Sequence, residues 1–349
     1  MSSLAPPQPF RAFGAGGPTL AETGEAELLR RLGEIAAAAP PADLAVPLGD
    51  DAAVWRPPAG AELAISQDAL VEARDFHRDW LPPRLLGRRA LQVALSDLAG
   101  MGARPAWCMA TLCASGATPL EDVLEIQRGL VAAAAEMSCT VAGGDVSDTD
   151  GPLVIDVSVG GTAAPGTWLR RDAGRPGDVL LVTGDLGAAA AGVRCLGGLC
   201  PEGDARRRAA WIAAYTEPQA RIAEGLRLTA AGVRCGGDIS DGLLIDAGRT
   251  AAASGCAAEL WLDRIPAGAG LMEAFGSGWA ELALGGGEDF ELLCAMPAVT
   301  ASRLESEWPA DLAPLRPVGR LVSGHGVRLL AADGGESLAL PAAQARHWR

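Results

Sequence analysis

Apolar residues recur along this chain with two periods. Leu28, Leu29, Leu32 and Ile35 follow helical spacing between Gly24 and Ala39. A second helix is predicted over 84–101, where Leu85, Leu86, Leu91, Val93, Ala94, Leu95 and Leu98 are apolar. ELAIS at 62–66 alternates as a strand and runs into Gln67-Asp68. AWCMATL at 106–112 predicts a strand, and 119–136 an amphipathic helix that starts after Thr118-Pro119. CTVA at 139–142 and LVIDVSV at 153–159 predict strands on either side of Gly143-Gly144-Asp145. Composition then breaks over 161–177, which holds Pro165 and Pro176 among several glycines, and the domain boundary is placed there.

Beyond the break, VLLVTG at 179–184 predicts a strand, and 186–195 and 205–230 predict helical segments. Another strand leads into Gly236-Gly237-Asp238, followed by a helix at 241–254 and strands at 258–262 and 290–295. The last 35 or so residues suggest two short strands and a tail, and residues 1–22, rich in Pro, Gly and Ala, suggest a loose tail at the other end. Strands alternate irregularly with helices, which predicts a two-domain α+β or α/β protein and argues against a regular eightfold barrel. The expected domains are 23–162 and 163–349.

Composition removes several chemistries. All 29 basic residues are Arg, so a P-loop, a kinase strand Lys and a Schiff base are excluded. Only His77, His325 and His347 could serve as imidazole bases or zinc ligands. The formal charge of −14 disfavours nucleic acid as a partner. Eight Cys show no Cys-x-x-Cys spacing, and they read as small buried apolar residues in a reducing compartment. No membrane span and no secretory signal are evident, so a cytoplasmic protein with no membrane partner is expected.

The informative pattern is a series of acidic residues in Gly-rich or strand-end phrases. These are Asp50 and Asp51 in GDD, Asp68 in ISQDALVE, Asp97 in SDLAGMG, and Asp145 in GGDVSD. Asp238 and Asp241 stand in GGDISDGL, and Glu288 and Asp289 in GGGEDFEL. Carboxylates gathered in one site repel unless cations lie between them, and hard oxygen donors favour Mg²⁺ with a polyphosphate. Each Gly-Asp taken alone is also an ordinary turn or cap. Asp241 could cap the following helix, and Ser96 could be a local cap.

These phrases, in this order, resemble the thiamine-monophosphate kinase family of the superfamily that includes aminoimidazole ribonucleotide synthetase and selenophosphate synthetase. They are LGDDAAV at 48–54, ISQDALVE at 65–72, RALQVALSDLAGMGARPAW at 89–107, AGGDVSD at 142–148, RRDAGRPGDVLLVTGDLG at 170–187, DISDGLLIDA at 238–247 and LGGGEDFELL at 284–293. The resemblance implies an N-terminal domain whose sheet pairs with a second copy in a barrel-like homodimer, and a C-terminal α/β domain. It implies ATP and thiamine monophosphate as substrates, several Mg²⁺, and direct transfer of the γ-phosphoryl group. It implies Mg²⁺ ligands at Asp51, Ser66, Gln67, Asp68, Asp97, Asp145, Asp238 and Asp241, with Asp97, Asp145, Asp238 and Asp241 at the chemistry. Nucleotide contacts are implied at Gly144, Asp145, Arg171 and Ser240, and acceptor contacts at Asp75, Glu288 and Trp348.

Three positions depart from the family pattern. Gln67 stands between Ser66 and Asp68 where the family usually has Thr. Asp75 aligns with a usual His, and His77 lies two residues later. Trp348 is the nearest aromatic to stack on thiamine, or equally a terminal residue covering an apolar patch. Alternative readings are another ATP-dependent member of the superfamily with a different acceptor, and an inactive phosphate-binding dimer. A chain with no Cys before Cys108 does not fit a selenophosphate synthetase.

Overall fold

The computed structural model describes residues 11–14, 16–36 and 43–341. Two compact units are present: residues 1–57, 67–91 and 106–159 form the first, and 58–66, 92–105 and 160–349 the second. The elements up to the break are α1 (Leu20–Thr23), α2 (Glu25–Ala36), β1 (Leu44–Val46), β2 (Val54–Trp55), β3 (Glu62–Val71), α3 (Pro83–Met101), β4 (Arg104–Ala114), α4 (Leu120–Glu136), β5 (Thr140–Asp148) and β6 (Val154–Ala163). After it come β7 (Val179–Thr183), α5 (Ala188–Leu196), α6 (Ala205–Thr216), α7 (Ile222–Ala230), β8 (Cys235–Ile239), α8 (Leu243–Ala253) and β9 (Ala257–Trp261). The chain ends with α9 (Leu271–Phe275), α10 (Trp279–Gly285), β10 (Glu291–Met296), α11 (Ala298–Glu307), β11 (Leu315–Val322), β12 (Gly326–Leu330) and β13 (Ser337–Leu338).

β3, β6, β4 and β5 form a four-stranded sheet in that order, with β4 and β5 parallel. In the first unit, α4 buries Val123, Ile126, Leu130 and Ala133, the apolar positions of its helical stripe. Its partner is the first half of α3. A Cβ on Gly87 would lie 1.9 Å from the carbonyl oxygen of Ile126, and one on Gly129 1.9 Å from that of Arg84. The two helices therefore touch backbone to backbone, which only glycine permits. The segment read as a tail is anchored from Arg11 on. Arg11 pairs with the buried Asp122 at 3.1 Å, Asp122 also accepts the Gly14 N–H at 2.8 Å, and Thr19 with Glu22 forms a capping box on α1.

The second unit is built on a seven-stranded sheet, ordered β13-β12-β9-β11-β7-β10-β8. It is mostly antiparallel, with β12 and β9 parallel. Both faces are covered. Leu180 and Val182 of β7 and Leu293 and Ala295 of β10 point to one side, with Leu243 and Ala247 of α8 and Leu284 of α10. Leu181, Leu292 and Cys294 point to the other, with Leu228 of α7 and Leu304 of α11. Burial on both faces explains why VLLV at 179–182 and LLCAM at 292–296 read as unbroken apolar runs. Each such Leu or Val side chain contributes about 1.5–3 kcal/mol.

The structure corrects several sequence expectations. The helical stretch expected over 205–230 resolves into two helices, α6 and α7, with Pro218 between them. The closing segment holds three strands, β11 to β13, and α9, α10 and α11 precede it. Their apolar residues are too few for a sequence period to register. Gly143-Gly144-Asp145 and Gly236-Gly237-Asp238 lie inside β5 and β8, not at turns, and Asp97 lies within α3. Ladder pairing on neighbouring strands overrides the local turn preference of glycine. Cys195 and Cys200 form a disulfide. They are therefore not the free thiols expected, whereas Cys108, Cys139, Cys235, Cys256 and Cys294 are buried free thiols. Among the described residues no helix is long and apolar enough to cross a membrane.

Gly87→Ala or Gly129→Ala is expected to lower unfolding free energy by about 2 kcal/mol or more, because the clashing atoms are backbone. Gly33→Ala in α2, which meets nothing within 4 Å, should instead stabilise by about 0.5–1 kcal/mol. Urea titration of the three variants checks the contrast.

Candidate functional site

Two of the acidic phrases form the centre of the second unit. β8 is the edge strand next to β10, and all five of its residues are buried. Asp238 is 3% exposed on this strand. Its carboxylate accepts a hydrogen bond from Ser96 Oγ at 3.0 Å and lies 3.4 Å from the Arg171 guanidinium. Ser96, fully buried on α3, serves Asp238 and is not a local cap. Ser96 and Gly100 stand one helical turn apart on the same face of α3. A Cβ on Gly100 would lie 2.7 Å from the Asp238 backbone N, so the missing side chain lets α3 approach β8. Asp97, next to Ser96, accepts from Ser66 Oγ of β3.

Burial pushes the Asp238 carboxyl up to about 6, and the negative charge of Asp97 adds to the shift. The Ser96 hydroxyl and Arg171 act in the opposite direction but do not cancel it. This is the signature of two carboxylates placed together with too little positive charge between them. Oxygen donors in such a pair suit a hard divalent cation. Among the described residues, no group of three or more His, Cys, Asp or Glu is already drawn together as a metal site.

The DISDGL phrase continues from β8 into the loop before α8. Asp241 does not cap that helix. The N-cap residue is Gly242, and Asp246 Oδ2 accepts from the backbone N–H of Ser240 at 3.1 Å and of Asp241 at 3.0 Å. Arg249 reaches both acids, 2.5 Å from Asp241 and 2.9 Å from Asp246. The GGGEDFEL loop runs alongside. Glu288 N–H donates to the Ser240 carbonyl at 2.8 Å, and Phe290 N–H to that of Ile239 at 2.9 Å. Ser240, Asp241 and Glu288 thus belong to one hydrogen-bonded pair of loops, which begins just past Asp238 on β8.

The remaining expected residues are placed in the first unit. Asp145 is exposed on β5, opposite Thr111 of β4. A Cβ on its neighbour Gly144 would lie 2.2 Å from the Ala110 carbonyl. Gln67 is exposed on β3 and donates to Asp156 at 2.6 Å, and Asp68 follows it, half-buried. Asp51 is exposed in the turn before β2. Asp75 Oδ2 accepts the Val71 N–H at 2.8 Å, closing its own turn, and His77 packs on Trp80 with ring centroids 4.3 Å apart. Trp348 lies outside the described residues.

Sequence reasoning missed Ser96 as an Asp238 partner, and it missed Asp246 and Arg249. The only signal for Ser96 was its four-residue spacing from Gly100. Asp246 and Arg249 follow DISDGL by helical spacing, but nothing local marks them as its partners.

The fold and these acidic loops define a class before they define an activity. Residues 49–163 match the AIR synthase related protein N-terminal domain, and residues 175–330 match the AIR synthase related protein C-terminal domain. Thiamine-monophosphate kinase of Salmonella typhimurium is 35% identical over 268 residues, which cover 75% of this chain and 80% of that protein. The crystal structure of thiamine-monophosphate kinase from Stenotrophomonas maltophilia K279a is 33% identical, with a TM-score of 0.76 over 86% of this chain and 95% of that one. The structure of AaThiL complexed with AMPPCP and TMP is 26% identical, with a TM-score of 0.71 over 94% and 98% of the two chains. The chain belongs to the thiamine-monophosphate kinase family of AIR synthase related proteins.

The raised carboxyl of Asp238 gives a stability test of this geometry. With a folded value of about 6 against 3.8 when unperturbed, ionising Asp238 opposes folding. The penalty is absent below about pH 4, grows between about pH 4 and 6, and is complete above, reaching about 2–3 kcal/mol at most. In chelator, Asp238→Asn is expected to be more stable than the parent at pH 8 and equal to it near pH 4. Thermal unfolding at the two pH values measures this. A variant that is no more stable at pH 8 would contradict the buried, uncompensated carboxylate.

Proposed function

We propose that this chain transfers the γ-phosphoryl group of ATP to the phosphate of thiamine monophosphate, giving thiamine diphosphate and ADP. A bond forms between an acceptor phosphate oxygen and the γ-phosphorus. The bond from that phosphorus to the oxygen bridging to the β-phosphate breaks, and ADP leaves with the electron pair. The acceptor oxygen is already anionic, so the reaction needs no general base. A Lys-free chain with three His suits such chemistry.

The observation that carries the reading is the pair of buried Asp238 and half-buried Asp97, bonded by Ser96 and Ser66 respectively and short of positive charge. The donors fit Mg²⁺: they are carboxylate and hydroxyl oxygens, and a cation relieves the repulsion that raises Asp238. When bound, Mg²⁺ neutralises charge on the phosphate oxygens. In this reading the metal ligands are Asp51, Ser66, the backbone carbonyl of Gln67, Asp68, Asp97, Asp145, Asp238 and Asp241. Arg171, with the forked donors of a guanidinium, and Ser240 contact the nucleotide phosphates, and Gly144 leaves room beside Asp145. Asp75 and Glu288 stand on the acceptor side. The domains of this enzyme are 23–162 and 163–349.

A homodimer belongs to the same proposal. Along β3 the period of two sends Ser66 toward Asp97, while Leu63 and Ile65 are 51% and 67% exposed on the opposite face. A paired apolar strand of this kind is suited to a second copy of the sheet, closing a barrel-like interface. The wild-type protein should sediment as a dimer, and Leu63→Asp with Ile65→Asp as a monomer. A monomeric wild type would sink this part of the reading.

The primary test is an assay with ATP, Mg²⁺ and thiamine monophosphate, with product identification. ADP and thiamine diphosphate should appear in equal amounts. Nucleotide binding without thiamine diphosphate would shift the acceptor to another molecule. Asp97→Asn and Asp238→Asn should each lower kcat/KM by about 10³-fold or more while leaving the circular dichroism spectrum unchanged. Near-normal turnover in either would remove that residue from the site.

A further inference from the structure

The loop that carries Glu288 is held in a conformation its residues disfavour. Glu288 has φ +75° and Phe290 φ +50°. A residue with a side chain persists in the left-handed region only where its surroundings over-determine it. Between the two sits Asp289. Its Oδ1 and Oδ2 both accept from the Gly187 N–H, at 3.0 and 2.9 Å. Gly187 is the N-cap residue of α5, and no side chain of its own caps that helix. Burial drives the Asp289 carboxyl well above the usual carboxylate range, against the stabilising Gly187 bond. The phosphoryl transfer described above gives Asp289 no task.

A helix cap alone does not explain this arrangement. Within three successive residues, the chain is fastened at Glu288 N–H to Ser240, at the Asp289 side chain to Gly187, and at Phe290 N–H to Ile239. The preceding glycines are packed as tightly. A Cβ on Gly286 would lie 2.3 Å from the Leu282 carbonyl, and one on Gly287 2.6 Å from that of Ser240. The turn is clamped from both sides around the one residue, Glu288, that faces the DISDGL loop through its backbone.

We propose that Asp289 is a positioning residue for the acceptor. Its carboxyl, fastened to the start of α5, keeps Glu288 left-handed and so fixes where Glu288 meets the thiamine moiety. This rests on the reading of Glu288 as an acceptor contact.

The test uses the full chain with ATP, Mg²⁺ and thiamine monophosphate. Wild type is compared with Asp289→Ala, Asp289→Asn, Glu288→Gln and the Asp289→Ala, Glu288→Gln double variant, and exchange of the Glu288 amide is followed in the same proteins. Asp289→Ala should raise the KM for thiamine monophosphate about tenfold and leave that for ATP within about twofold. In the Glu288→Gln background the same change should add less than about twofold. Asp289→Asn keeps an oxygen for the Gly187 N–H and should restore most of the affinity. The Glu288 amide should exchange about tenfold faster in Asp289→Ala.

An equal loss in both backgrounds, or a matching rise in the KM for ATP, would reduce Asp289 to a cap on α5. Unchanged exchange at Glu288 would overturn the clamp itself. If Glu288→Gln leaves the acceptor KM at the wild-type value while exchange still quickens in Asp289→Ala, the reading of Glu288 fails and the clamp survives without an acceptor role. If Asp289→Ala does not fold, Asp289→Ser replaces it, its hydroxyl being too short to span to Gly187.

Discussion

The second unit is organised around a carboxylate that the protein interior opposes. Asp238 is 3% exposed and shares its surroundings with Asp97. Burying one ionised acid near another is unfavourable unless donors or cations compensate. The compensation here is partial: one hydroxyl bond from Ser96 and a guanidinium 3.4 Å away. The neighbouring sequence follows from that arrangement. Gly100 must lack a side chain so that α3 can come close enough for Ser96 to reach Asp238. Asp97, one residue further round the helix, then meets Ser66 of β3.

Strand pairing brings the other motifs into place. β10 pairs antiparallel with β8, setting Glu291 opposite Ile239 and Leu292 opposite Asp238. The loop 240–242 and the end of β8 therefore run beside the loop 286–290, whose Glu288 and Phe290 N–H groups donate to the Ser240 and Ile239 carbonyls. Each motif has two parts with different tasks. The apolar part, as in ELLC, is a core strand buried on both faces, and the polar part is loop. Glu291 marks the change. It is buried, accepts from Thr183 Oγ at 2.6 Å and is gripped by Arg221 at 2.6 and 2.9 Å, so it belongs to the scaffold although it stands in the same phrase as Glu288.

Much of this was legible in the sequence, for identifiable reasons. The helices α3 and α4 and the strands β7 and β10 have strong apolar periods, because each is buried over most of its length. The acidic phrases were legible as candidates because glycines and apolar strands flank them. Their local geometry was not. A Gly-Gly-Asp reads as a turn by propensity, yet at 143–145 and 236–238 it is strand, because its conformation is decided by a neighbour distant in sequence. The roles of Ser96, Asp246 and Arg249 depend on such contacts too: Ser96 meets Asp238 142 residues away. Asp241 was read as a possible cap because it precedes a helix, but Gly242 is the N-cap residue, and Asp246 reaches back to the backbone amides of Ser240 and Asp241.

The absence of Lys gives these carboxylates a common setting. The second unit's central acids pair with Arg171, Arg249 and Arg221. A guanidinium stays charged at any pH at which the protein folds, so it cannot relieve a crowded site by giving up a proton. Adjustment falls on the acids. Where the fork grips closely, as Arg221 does Glu291 at 2.6 Å, the pair is a fixed strut of the fold. Where the guanidinium stands off, as Arg171 does from Asp238, it does not offset the burial and the Asp97 charge that raise the carboxyl to about 6. That acid, where β8 meets α3, is therefore receptive to an added cation.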